Sequence, residues 1–88
     1  MDYPGFNTDL PNGLTVSVQW HDGAYANRNN DGKVYLVEIA CWKTKTDTWM
    51  TRNVWPNDAG FDDVIGYVAA SEVVRFIDDA WEWRDENA

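Results

Sequence analysis

The sequence is short of the residues on which most chemistry depends. It holds one cysteine and one histidine among 88 residues. A single cysteine excludes an intrachain disulfide, and neither residue recurs at zinc-ligand spacing. Cys41 and His21 make one conceivable nucleophile–base pair. Cys41, however, stands between Ala40 and Trp42 in an apolar run and reads as a small buried hydrophobe rather than a thiolate. No Gly-rich phosphate loop and no nucleophile elbow occurs. No catalytic residue, cofactor or metal is therefore expected, and the chain reads as non-enzymatic. Basic residues are scarce as well, seven Lys and Arg against fifteen Asp and Glu. Direct binding to nucleic acid or to an anionic membrane is disfavoured, because both are polyanions. There is no long apolar run, no signal-peptide pattern, no internal repeat and no second domain. A soluble, cytoplasmic protein is the expectation.

Aromatic residues are plentiful instead: six Trp, four Tyr and three Phe. In a chain this short they raise the apolar area available to a limited core. Trp20, Trp42, Trp49 and Trp81 fall on apolar faces and are expected inside. Trp55, beside Pro56, and Trp83, at the flank of the last helix, are the candidates for exposure.

The acids are concentrated at one end. Residues 58–88 carry nine acids and two bases, for −7, whereas residues 1–57 carry six acids and five bases, for −1. Most of the acidic stretch lies in Ser71 to Glu86, SEVVRFIDDAWEWRDE. Val73, Phe76, Ile77, Ala80 and Trp81 recur there at helical spacing and predict one amphipathic helix. Ser71 suits the N-cap, where its hydroxyl would accept a free backbone N–H. Carboxylates at the other end oppose the helix dipole, relieved only by Arg84. Asp78, Glu82 and Asp85 are spaced i, i+4, i+7 and form a row, which Asp79 and Glu86 extend sideways. These five acids, with Trp83 as an aromatic anchor, are the expected partner-binding surface. A solvated, solubilising face is the plainer alternative.

The rest of the chain predicts a sheet. Residues 1–13 read as an extended arm with turns, ending on the turn signal Asn12-Gly13. Leu14 to Trp20 alternates apolar and polar, as a half-buried strand does. Residues 24–33 read as a polar loop. Val34 to Trp42 is apolar on both faces apart from Glu38, which predicts a central strand. Lys43 to Asp47 reads as a turn and Thr48 to Trp55 as a third strand of a hairpin. Asp63 to Ala70 fits a short fourth strand better than an early start of the helix, because Gly66 would weaken a helix by about 1 kcal/mol. The expected architecture is α+β: residues 1–88 as one domain, with an antiparallel three- to four-stranded meander over residues 14–70. One C-terminal helix, residues 71–86, packs on a face.

Three further groupings carry candidate ligand-binding residues. Asn27 to Glu38 matches a calcium loop at Asn29, Asp31, Gly32 and Glu38. Asn27 replaces the first acidic ligand, however, and the flanks read as strands, so a polar turn is preferred. Asp58, Asp62 and Asp63 form an acidic loop best read as solvated. Arg28, Lys33, Lys43, Lys45 and Arg52 can cluster across neighbouring strands and receive an anionic ligand.

Several features together resemble small accessory proteins encoded by tailed bacteriophages. These are Asn12-Gly13 leading into VSVQW, Gly23 and Tyr25, Ala40 and Trp42, Trp49, and DDVIGY before SEVV. The resemblance spans most of the chain but rests on turns and core positions, so it transfers no functional residue. It implies a phage accessory gene acting in the infected host bacterium. Small acidic phage proteins of this kind often inhibit host defence systems, including CRISPR complexes, or host enzymes. The expected function is a non-enzymatic inhibitor whose acidic surface imitates nucleic acid and binds a host protein with a basic surface. The alternatives are a homo-oligomeric assembly module, such as a homodimer, and a sponge for a signalling nucleotide.

Overall fold

A computed structural model describes residues 4–21, 26–28, 34–58 and 63–84. Its elements are β1 (Gly5–Asp9), β2 (Leu14–Gln19), β3 (Asn27–Arg28), β4 (Val34–Lys43), α1 (Thr51–Val54), β5 (Val64–Ala69) and α2 (Ala70–Glu82). The α+β plan expected from the sequence is the one found: an antiparallel sheet with a C-terminal helix across one face. β4 is the hub. Its β-branched and aromatic residues suit a strand with neighbours, and it pairs antiparallel with β2, β3 and β5.

The core lies between α2 and one face of the sheet. Leu14, Val16 and Val18 point to it from β2, with Ile39 and Cys41 from β4, Ile65 and Val68 from β5, and Phe76 and Ala80 from α2. The cross-strand pairs Val16–Cys41 and Val18–Ile39 fix the register that places these side chains on one face.

Within the loop expected over residues 24–33, Asn27–Arg28 forms the short strand β3, paired with β4. Two other sequence expectations about the sheet need correction. Residues 1–13 are more than an extended arm, because Gly5–Asp9 forms a strand hydrogen-bonded to β2. That extra strand buries the face of β2 expected to meet solvent: Thr15 is 4% and Ser17 5% exposed. Their hydroxyls are satisfied locally. The Thr15 hydroxyl donates to Asp9 Oδ1 at 2.8 Å and lies 2.7 Å from the Thr44 hydroxyl, and Ser17 Oγ accepts from Gln19 Nε2 at 2.9 Å. Gly5 is required at the start of this strand. A Cβ there would lie 2.6 Å from the Val18 carbonyl oxygen.

The second correction concerns Thr48 to Trp55, which is not a third strand. Only Trp49 bridges to Trp42. The backbone follows β4 as far as the Met50 N–H, which donates to the Cys41 carbonyl at 2.8 Å. The Thr51 hydroxyl then replaces a backbone partner. It accepts the Cys41 N–H at 3.0 Å and lies 3.3 Å from the Cys41 carbonyl. With β4 satisfied by a side chain, the chain is free to coil into α1. Met50, Val54 and Trp55 then reach the core at helical spacing.

Residues 64–69 form the expected strand, and the chain passes from β5 into α2 without a loop. Between Ile65 and Val68 the ladder shifts register against β4, and Tyr67 there adopts a left-handed backbone, φ 56°. The cap is not Ser71. Ala69 occupies that position with no side-chain bond, and Ser71 is already inside the helix. The helix also ends earlier than expected, at Glu82, with Trp83 extended. Asp85 and Glu86 lie outside the described residues.

The end of α2 is held by the first turn of the chain. Asn12 Nδ2 donates to the carbonyls of Ala80 at 2.8 Å, Trp81 at 3.2 Å and Trp83 at 3.1 Å. Its Oδ1 accepts the Leu14 N–H at 3.3 Å. Helix C-termini leave carbonyls without intrahelical donors, and here a residue 68 positions away supplies one. Arg84 adds a second donor, from Nη1 to the Trp81 and Trp83 carbonyls. Its positive charge suits the negative end of the dipole. Asn12→Ala is expected to lower unfolding free energy by about 1–3 kcal/mol in urea titrations. Asn12→Asp is expected to be worse at pH 7, because it sets a carboxylate against carbonyl oxygens and so raises its folded-state pKa, and to recover as pH falls toward about 4, below which the carboxyl is protonated in both states.

Candidate functional site

α2 turns one face to the core and leaves the other uncovered. At 100° per residue, Phe76 and Ala80 point inward and are fully buried, while Val73 and Ile77 flank them half-buried. Opposite them run Val74, Asp78 and Trp81, at i, i+4 and i+7, with Glu82 beside Asp78. Val74 is 68% and Trp81 49% exposed. A shallow groove of about 380 Å³ runs along this surface, lined by Val74, Arg75, Ile77, Asp78, Trp81 and Glu82. Its floor is apolar and its rim carries two acids and one base.

The six residues expected to bind a partner separate into four groups. Asp78 and Glu82 meet in the groove, exposed and one turn apart. Asp79 is exposed too, but its carboxylate accepts the Trp55 indole N–H at 2.7 Å. It thereby ties the segment after α1 to α2. Trp83 is half-buried against the core rather than beside the acids. Asp85 and Glu86 lie outside the described residues, so the row is seen as far as Glu82.

Trp20 packs against the core as expected and Trp42 is half-buried, but the expectations for the other four tryptophans are inverted. Trp81 and Trp49, placed inside by their apparent faces, are 49% and 47% exposed. Trp55 and Trp83, the candidates for exposure, pack against the core. Trp55 stands edge-on to Phe76, with ring centroids 5.1 Å apart and the Arg75 guanidinium 6.0 Å from its ring. That stacking draws Trp55 inward and fills the flank of α2 nearest α1. Trp81 lies at the opposite flank and is left out. Sequence reasoning missed Val74 and Trp81 as surface residues, although their seven-residue spacing around Asp78 was a readable signal.

The other groupings resolve differently. Asn29 to Lys33 of the calcium-like loop lie outside the described residues, and Glu38 sits within β4. Among the described residues no cluster of three or more His, Cys, Asp or Glu can hold a metal ion. Asp62 is outside them, and Asp63 pairs with Arg52 at 3.4 Å. That pairing withdraws Arg52 from the expected basic cluster. Lys43 and Lys45 do come together, lining one cavity.

Cys41 and His21 are not brought together. The cross-strand neighbour of Cys41 is Val16, and His21 follows five residues later, roughly 17 Å along an extended chain. Cys41 is fully buried, and burial pushes its thiol up to about 11. No family model, curated protein or solved structure matches the chain.

The Cys41 environment has a measurable consequence. From pH 9 to 11 the unfolded chain loses the thiol proton and the folded chain keeps it. Stability from this group is complete below pH 9 and falls as pH rises to about 11, by about 1.4 kcal/mol per pH unit. Urea titrations at pH 8 and 10.5 are expected to show this loss in the wild type and a smaller one in Cys41→Ala.

Proposed function

We propose that the protein is a non-enzymatic binding protein that docks on the basic surface of another protein through the outer face of α2. In the phage setting its sequence resembles, it acts as an inhibitor of a host defence complex or another nucleic-acid-handling protein. The observation that carries this reading is Trp81. A helix of a small globular domain stabilises itself by burying its largest side chain, yet this one leaves an indole half-exposed beside Asp78 and Glu82, with Val74 on the same stripe. Exposed aromatic anchors within a charged rim are what binding hot spots require.

The chemistry divides between the two parts of the face. Asp78 and Glu82, backed by the −7 charge of residues 58–88, steer the protein toward a basic groove and compete there with a phosphate backbone. Trp81 and Val74 supply desolvated apolar contact once the surfaces meet. Arg75 is paired with Glu72 at 3.3 Å, which reduces its repulsion of a cationic partner. Asp79 is already bonded to Trp55 and holds the face in place rather than reaching across.

Capture of partners from bacterial lysate by the wild type is the starting measurement, followed by binding measurements with variants on the partner obtained. Trp81→Ala is expected to weaken that complex by tenfold or more while shifting unfolding free energy by about 0.5 kcal/mol or less. Asp78→Lys with Glu82→Lys is expected to slow association and flatten its salt dependence. A partner held equally by all three proteins places the interface elsewhere.

One observation favours a second reading, the homo-oligomer. β1 lies at the end of the strand order and pairs only with β2 among the described residues, and Phe6 on it is 45% exposed. Light scattering across a concentration series distinguishes the two: self-association through β1 raises the mass with concentration, and a pure partner-binding protein keeps a constant mass.

A further inference from the structure

A separate cavity of about 570 Å³ opens where the turn between β1 and β2 meets the turn that follows β4. Its apolar wall is made by Leu10, Pro11, Leu14 and Trp83. This is where Trp83 goes instead of joining the acids of α2. The volume is in the range of small-molecule sites, and such sites combine apolar walls with a few convergent polar groups.

The polar side chains around this cavity are, with two exceptions, already committed. Asn12 uses its amide on the α2 carbonyls and its oxygen on the Leu14 N–H. Asp9 accepts from Thr15, Thr44 shares a hydrogen bond with Thr15, and Thr46 shares one with Thr48. The exceptions are Lys43 and Lys45, whose ammonium groups form no ion pair or hydrogen bond with another described residue. The contrast with the arginines is informative. Arg52 is paired with Asp63 and Arg75 with Glu72, while Arg84 donates to backbone carbonyls. In a protein of net charge −8, two ammonium groups with no partner among the described residues therefore line one apolar hollow.

We infer that this cavity binds a small amphipathic monocarboxylate, its apolar body against Trp83 and Leu10 and its carboxylate at Lys43 and Lys45. One negative charge is favoured over several. The Asp9 carboxylate lines the same cavity, and the field of the whole chain is negative, so a polyanion is repelled where a monoanion is held. This also weighs against the signalling-nucleotide sponge, whose ligands carry several charges. The lysine stems add apolar wall while their charged ends stay near water. The site is independent of the outer face of α2, and each stands without the other.

Two sources supply this chemistry, aliphatic and aromatic carboxylates, and the test uses one of each. The ¹⁵N-labelled protein is titrated with sodium octanoate and, separately, with sodium 2-naphthoate. The Gly13 and Lys45 amides and the Trp83 indole N–H are expected to shift together and saturate at one site. The tighter of the two ligands identifies the source. Lys43→Gln with Lys45→Gln is expected to weaken binding by about tenfold, with the remaining spectrum unchanged. If that variant does not fold, octanol and 2-naphthalenemethanol titrated into the wild type make the same test, because each lacks only the charge and must bind more weakly. Absence of saturable shifts with both carboxylates overturns the assignment. So do shifts centred on α2, or equal affinity for acid and alcohol.

Discussion

Asn12 donates its side-chain amide to the carbonyls of Ala80, Trp81 and Trp83, and so joins the first turn of the chain to the end of its last helix. Several features depend on that contact. It supplies a donor where α2 has run out of its own, and it sets how the helix end lies over the sheet. It also helps place the Trp83 backbone, whose indole closes one wall of the cavity beside Lys43 and Lys45. The same amide needs its carbonyl oxygen on the Leu14 N–H, which couples the helix end to the first residue of β2. Gly13 follows with φ 88°, a conformation that favours glycine and lets the chain turn into β2 directly after the clamp.

The sheet shows how one strand's pairing decides another's burial. β2 looks half-polar by its alternation, and a polar face is normally a wet one. β1 closes over its edge, and Thr15 and Ser17 become buried groups that hydrogen-bond to Asp9, Thr44 and Gln19. Among the described residues, every buried side-chain nitrogen and oxygen has a partner, so the burial leaves no orphaned group to oppose it. Thr51 follows the same logic. Its hydroxyl stands in for backbone at Cys41, and a stretch that alternates like a strand coils into α1 instead.

The two candidate surfaces differ in kind and lie on different parts of the molecule. The outer face of α2 is open and acidic, with Trp81 and Val74 as its apolar elements. The cavity between the turns has an apolar wall, and its Lys43 and Lys45 ammonium groups have no partner among the described residues. Among the described residues, Lys43 and Lys45 make no ion pair, whereas the arginines at 52, 75 and 84 are paired or bonded, so the charges are separated by position. No described helix is long and apolar enough to cross a membrane.

Much of this was determined by local sequence. The run from Val34 to Trp42 had to be a paired strand, since nothing in it favours water apart from Glu38. Val64 to Ala69 alternates and holds Gly66, so it extends before the helix begins. Phe76 and Ala80 repeat at helical spacing and had to face a core. Asp78 and Glu82 could be placed on one outer line by counting alone. These are periodicities, and a period is a local property. The tertiary structure decided what no period contains. By sequence Trp81 falls on an apolar face and Trp55, beside Pro56, is a candidate for exposure, yet Trp55 is the one drawn inward. Which of them is buried depends on where α1 packs, because the Phe76 ring and the Asp79 carboxylate together offer Trp55 both an apolar wall and a hydrogen-bond acceptor. Likewise Asn12 reads only as a turn residue until the helix end arrives from 68 positions away. Its amide is ordinary in sequence, and its role comes from which unsatisfied carbonyls the fold brings within reach.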